Sequence, residues 1–181
     1  MYSSLQASQI RKLYAGIASV LTGIALASCA SGRSLTATPA YRGTPSPDEI
    51  AAYAELADGK TLTYGRQIYT QYCASCHGIN GEGQFPDVPD NIDSATGKYG
   101  APPHNETGHT WHHDDDLLLW YIQNGGVGNP DKYLSMPPYA GILKDAEIRA
   151  VVAHIKSMWT EEQRYMQAEN TLTIRWQNQN R

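Results

Sequence analysis

Cysteine is scarce in this chain: there are three in 181 residues, at positions 29, 73 and 76. That scarcity excludes a four-cysteine zinc site, because Cys73 and Cys76 supply at most half of one and no second pair at short spacing exists. Basic clusters are missing too. Lys and Arg number 14 against 18 Asp and Glu, giving a formal charge of −4. Without a Lys/Arg run, nucleic acid is not expected as a partner. No internal repeat is present, and the length suits one modest domain with extensions.

What is present centres on Tyr72-Cys73-Ala74-Ser75-Cys76-His77-Gly78. Two cysteines separated by two residues and followed at once by histidine form the attachment pattern of a c-type haem. The spacing has a chemical reason: both sulfurs reach the two vinyl groups of one porphyrin, and the next residue projects an imidazole at the iron. A redox Cys-x-x-Cys pair would not require the adjacent histidine. One covalent haem c is therefore expected, held by Cys73, Cys76 and His77.

Haem is attached to such motifs outside the cytoplasm, so export is expected, and the N-terminus reads accordingly. Arg11-Lys12 precede an apolar run, Leu13 to Ala27, with the length and composition of a signal-peptide core. The run ends in Leu26-Ala27-Ser28-Cys29, which resembles the lipobox of bacterial lipoproteins. That resemblance implies cleavage of residues 1–28 as a signal peptide and lipidation of Cys29. An uncleaved helix is the alternative, since Leu13 to Ala30 could just span a thin bilayer at about 1.5 Å per residue. Either way the domain is tethered to a membrane, with a lipid anchor on the periplasmic face as the expectation. Loss of residues 1–28 removes Arg11 and Lys12 and no acid, moving the charge from −4 to −6.

Residues 29–47 carry the anchor and then a run of Ala, Ser, Gly, Thr and Pro that reads as a linker. Ser46-Pro47-Asp48-Glu49 then starts a short helix running to about Ala57, closed by Asp58-Gly59. Thr61 to Tyr72 forms the next, with Leu62, Gly65, Ile68, Tyr69 and Tyr72 on one face. From Gln84 to Trp111 there is no periodicity, and a long irregular loop is expected, wrapped on the porphyrin. His113-Asp114-Asp115-Asp116 opens a third helix that stops at Asn124-Gly125-Gly126. A loop containing Met136-Pro137-Pro138 follows. The last core helix starts at Lys144 and repeats Ile148, Val151, Val152, Ile155 and Trp159. Residues 48–160 thus form the core domain, and 161–181 a polar tail that starts helical and then loses its pattern.

This order resembles the class I cytochrome c family over roughly residues 60–160. Gly65 and Tyr69, Cys73/Cys76/His77, Gly81-Glu82-Gly83, Ala101-Pro102-Pro103, Ile122-Gln123-Asn124-Gly125, Met136-Pro137-Pro138-Tyr139 and Glu147 through Trp159 carry it. The resemblance implies an all-α fold around one haem, with His77 and a methionine as axial ligands and electron transfer as the activity. Met136, in a Pro-flanked loop, is the expected sixth ligand; Met158 and Met166 read as packing or surface residues. His104, His109, His112, His113 and His154 are the rival ligands, and His112 and His113 could instead reach the haem edge. The Pro102/Pro103 segment is expected to give a carbonyl to His77 Nδ1–H, with Asn80, Tyr99 and Trp111 as pocket residues. One departure stands out: His154 occupies the place where the family's C-terminal helix usually carries an aromatic residue against the Gly65/Tyr69 helix.

The function expected from these readings is single-electron transfer between a membrane complex and redox partner proteins. The linker could let the domain swing between donor and acceptor; alternatively the polar tail reads as a docking arm of a fixed subunit, and mono-haem lipoprotein subunits of this kind occur in quinol-oxidising assemblies such as alternative complex III. The contrasting expectation is a haem enzyme or gas-binding sensor with an open distal site, which Met136 argues against.

Overall fold

A computed structural model of the chain describes residues 43–126 and 128–181. The expected signal peptide, Cys29 and most of the linker lie outside the described residues. Among the described residues there are six α-helices, two short 3-10 turns and no strand, only isolated β-bridges. The fold is all-α, as expected from the sequence.

Helix α1 (Pro47–Ala54) starts as its residues dictate: Ser46 accepts from Glu49 N–H, and Glu49 Oε2 accepts from Ser46 N–H at 2.9 Å. It ends at Ala54, short of the expected Ala57. Asp58 starts the next helix instead, its Oδ1 accepting from the N–H groups of Lys60 and Thr61 at 3.0 and 3.1 Å. Helix α2 (Gly59–Tyr72) leads into α3 (Ala74–His77), a single turn carrying the Cys-x-x-Cys-His motif. Helices α4 (Asp115–Asn124) and α5 (Asp145–Lys156) close the core.

The core is one cluster built from Ile68 and Tyr69 of α2, Leu118 and Ile122 of α4, and Ile148, Val151, Val152 and Ile155 of α5, with Leu143 and Trp159 at its ends. Its tightest seam is the crossing of α2 with α5. Gly65 makes that approach possible, because a Cβ there would land on the Ala150 carbonyl. His154 does sit at this crossing. Its ring packs edge-on against Tyr69 with centroids 5.3 Å apart, and burial first, then the charge of Arg66, pushes its pKa down.

The C-terminal segment departs from expectation. It is one continuous helix, α6 (Glu161–Gln179), packed on α1 and on the 3-10 turn Thr110–His112. Its buried positions are Gln167, Ala168 and Thr171, so the hydropathy pattern that marks α5 is missing from a helix that is nonetheless packed. A polar hub takes the place of an apolar seam. Asp115, at the start of α4, accepts from Tyr53 Oη at 2.6 Å and Gln167 Nε2 at 2.7 Å, and pairs with Lys156 Nζ at 2.6 Å. Beside it Arg175 grips Asp116 through both Nε and Nη2, at 3.1 and 2.7 Å. The hub joins α1, α4, α5 and α6.

Candidate haem site

The motif turn is shaped by its own backbone. Cys76 N–H and His77 N–H both donate to the Cys73 carbonyl, and Gly78 N–H donates to Ala74. Gly78 then takes φ +81°, and the carbonyl of His77 is held by Gly83 N–H at 2.8 Å. This places Cys76 and His77 on the wall of a cavity of about 890 Å³. Cys73 sits at the end of α2, half-buried against the core, and neither thiol is in a disulfide. Burial, then the neighbouring Cys76, pushes the Cys73 thiol up to about 12.

His77 is only 6% exposed, and its Nδ1 donates to the Pro102 carbonyl at 2.9 Å. A neutral imidazole bonded in this way holds its proton on Nδ1 and leaves Nε2 as a bare donor atom. Burial lowers the pKa of the ring, with the Pro102 bond opposing, which favours that neutral form. The long loop that delivers Pro102 is organised by Asn91, whose left-handed backbone (φ 53°) suits a short polar side chain. Its Oδ1 accepts from Phe85 N–H at 2.8 Å and its Nδ2 donates to the Ala101 carbonyl at 2.9 Å.

Met136 lies on the wall of the same cavity. Its loop is tied to α4 by Tyr139 N–H on Ile122 and Ala140 N–H on Gln123, and to the turn after α4 by Gly126 N–H on the Met136 carbonyl, all 3.0 Å. Gly125, at φ +80°, does more than end the helix: a Cβ there would stand 2.6 Å from the Met136 carbonyl. Leu118, Ile122, Leu134 and Ile155 line the same cavity. A void of this size, lined mainly by apolar surface and bearing the Cys76 thiol, the His77 imidazole with its outer nitrogen already bonded and the Met136 thioether, fits a covalently attached haem.

A sequence model of the family described as Cytochrome c matches residues 62–159, more than half of the chain. The chain belongs to the cytochrome c family. Its similarity to a curated protein points the same way. This cytochrome is 26% identical over 116 residues to the cbb3-type cytochrome c oxidase subunit CcoP of Azospirillum sp. (strain B510). The match covers 61% of this chain and 35% of that one, so the chain spans about a third of the relative's length. No solved structure gives a significant match.

The remaining candidates separate cleanly. Tyr99 lines the cavity, its ring 5.4 Å from that of Tyr133. Trp111 does not line it: its indole N–H is committed to the Gly108 carbonyl at 2.9 Å, and its ring stacks on His112. Asn80 and His112 are exposed and also stay out of the wall, while His109 and His113 reach it as an edge-to-face pair with centroids 5.6 Å apart. His104, a rival sixth ligand in the sequence, also lines the cavity and lies against His77 itself, ring on ring at 3.8 Å and 20°. No pattern in the sequence marks that contact, since the two residues meet only through the loop fold.

Proposed function

We propose that this cytochrome carries one haem c, bound covalently through Cys73 and Cys76 with His77 and Met136 as axial ligands, and passes single electrons as a membrane-tethered subunit of an electron-transfer complex. The observation that carries the ligand assignment is the pairing of two facts. His77 has its Nδ1 held by Pro102, and Met136 stands on the wall of the same apolar cavity. A haem held there supplies a one-electron iron couple. Two backbone-pinned ligands change little when the charge on the site changes.

Membership of a membrane complex is supported by similarity to an oxidase subunit and by the sequence of the N-terminus, with Cys29 as the lipidated residue. Among the described residues no helix is long and apolar enough to cross a membrane. Residues 43–181 carry ten basic and eighteen acidic side chains, because Arg11, Lys12, Arg33 and Arg42 all precede them. A partner with a basic docking face suits that surface, and the association weakens as salt rises.

Optical spectra of the purified protein test the core of the proposal. A low-spin c-type spectrum with the methionine–iron charge-transfer band is expected, insensitive to carbon monoxide, with the band lost in Met136→Ala. A high-spin or carbon-monoxide-sensitive wild-type spectrum would remove Met136 from the iron. Intact mass of the native protein tests the anchor: an unmodified Met1 start ends the lipoprotein assignment. Purification from gently solubilised membranes without any companion chain would rule out the fixed subunit.

A further inference from the structure

We propose that His104 is a positioning residue for the proximal ligand: its ring, stacked on that of His77, fixes the plane in which His77 presents Nε2 to the iron. This rests on His77 being an axial ligand. The bond from Nδ1 to Pro102 sets the tautomer and one point on the ring edge. A hydrogen bond alone accepts departures of about 30° from linearity with little loss. A second ring 3.8 Å away and within 20° of parallel does not allow that latitude.

His104 is itself firmly placed. Its N–H donates to the Gly81 carbonyl at 2.7 Å, and its own carbonyl accepts from the Trp159 indole N–H at 2.8 Å. Gly81 is hemmed in at the same point, because a Cβ on it would stand 3.0 Å from Asn105 N. The ring also meets Tyr69, with centroids 6.1 Å apart. The side chain is not there to bond through Nδ1, which is buried and has no hydrogen-bond partner among the described residues. Burying a ring nitrogen unpaired is unfavourable against an apolar side chain of similar size. What the ring contributes is its flat face, of the same size and shape as the face it covers. The orientation of an axial imidazole governs its overlap with the iron π-type d orbitals. A locked plane would therefore return the site to one electronic ground state each time the haem is oxidised.

The oxidised holoprotein carries the test, as wild type, His104→Phe and His104→Leu. The readouts are the g values from electron paramagnetic resonance, the order of the hyperfine-shifted haem methyl resonances and the midpoint potential. Phe retains a flat face and should keep the wild-type pattern; Leu should shift the g values, reorder the methyl resonances and move the potential. A Leu holoprotein with wild-type values in all three overturns the proposal. A change in both variants also overturns it, because the effect then belongs to the ring nitrogens and not to the face. If Leu yields no holoprotein, Phe decides alone: an unchanged pattern supports the stack and an altered one refutes it. Failure of the ligand assignment itself looks different, since the wild-type protein would then lack the low-spin spectrum before any substitution is made.

Discussion

Tyr139 Oη donates to the carbonyl of Tyr72 at 2.7 Å, tying the Met136 loop to the last residue before Cys73. Two parts of the cavity wall, 67 residues apart in the chain, are thereby joined by one hydroxyl. Tyr139→Phe keeps the ring, which lies edge-on to Tyr72, and removes only the bond. The expected cost is about 1 kcal/mol in a denaturant titration. The methionine–iron band should weaken with it, and carbon monoxide should gain access to the reduced protein. An unchanged band would show that the loop is held by its backbone bonds to α4 alone.

Gly125→Ala meets two obstacles at once. The backbone is at φ +80°, and the new Cβ would stand 2.6 Å from the Met136 carbonyl. Destabilisation of about 1–3 kcal/mol is expected, accompanied by loss of the methionine–iron band. Gly97→Ala is the control. It has a similar φ of +70° but nothing within 4 Å, so it should cost stability and leave the spectrum alone.

Gly65→Val attacks the seam between α2 and α5, where the side chain would run into the Ala150 carbonyl. Overpacking at a helix crossing costs about 1–3 kcal/mol or more. A thermal melt of the holoprotein measures it, and a melting temperature equal to wild type would mean that the two helices part easily.

Asp115 ties stability to acid. Burial alone would raise its carboxyl, but Lys156 and the hydrogen bonds from Tyr53 and Gln167 outweigh it and hold the group below the usual carboxylate range. A carboxyl depressed in the folded state adds stability above its unfolded value of roughly 4, and that contribution disappears as pH falls through the folded value. Asp116 behaves in the same way through Arg175. Thermal melts should therefore lose stability below about pH 4. Asp115→Asn should cost about 2–4 kcal/mol near neutrality, since it leaves Lys156 part-buried without its partner. The variant should also flatten the acid dependence; a profile as steep as wild type would place the acid-sensitive group elsewhere.

What could be read from the residues alone was local. Cys73, Cys76 and His77 announce their chemistry because thioether attachment and ligation need them within one turn of chain. Helix α5 is legible because its buried positions are apolar and recur at helical spacing. Helix α6 is not, because Gln167 and Thr171 are buried by bonding to Asp115 and its neighbours, and polar residues at buried positions leave no hydropathy signal. The role of Asp58 turned on a similar ambiguity: an aspartate before a glycine serves equally to end one helix or to begin the next. Tertiary structure alone decided that His104 covers His77, that Trp111 turns its indole to Gly108 instead of the cavity, and that Tyr139 ties the Met136 loop to Tyr72. Each of these depends on where a long irregular loop brings its residues, and contacts between distant segments are set by the packing of the whole chain, which no short stretch of sequence contains.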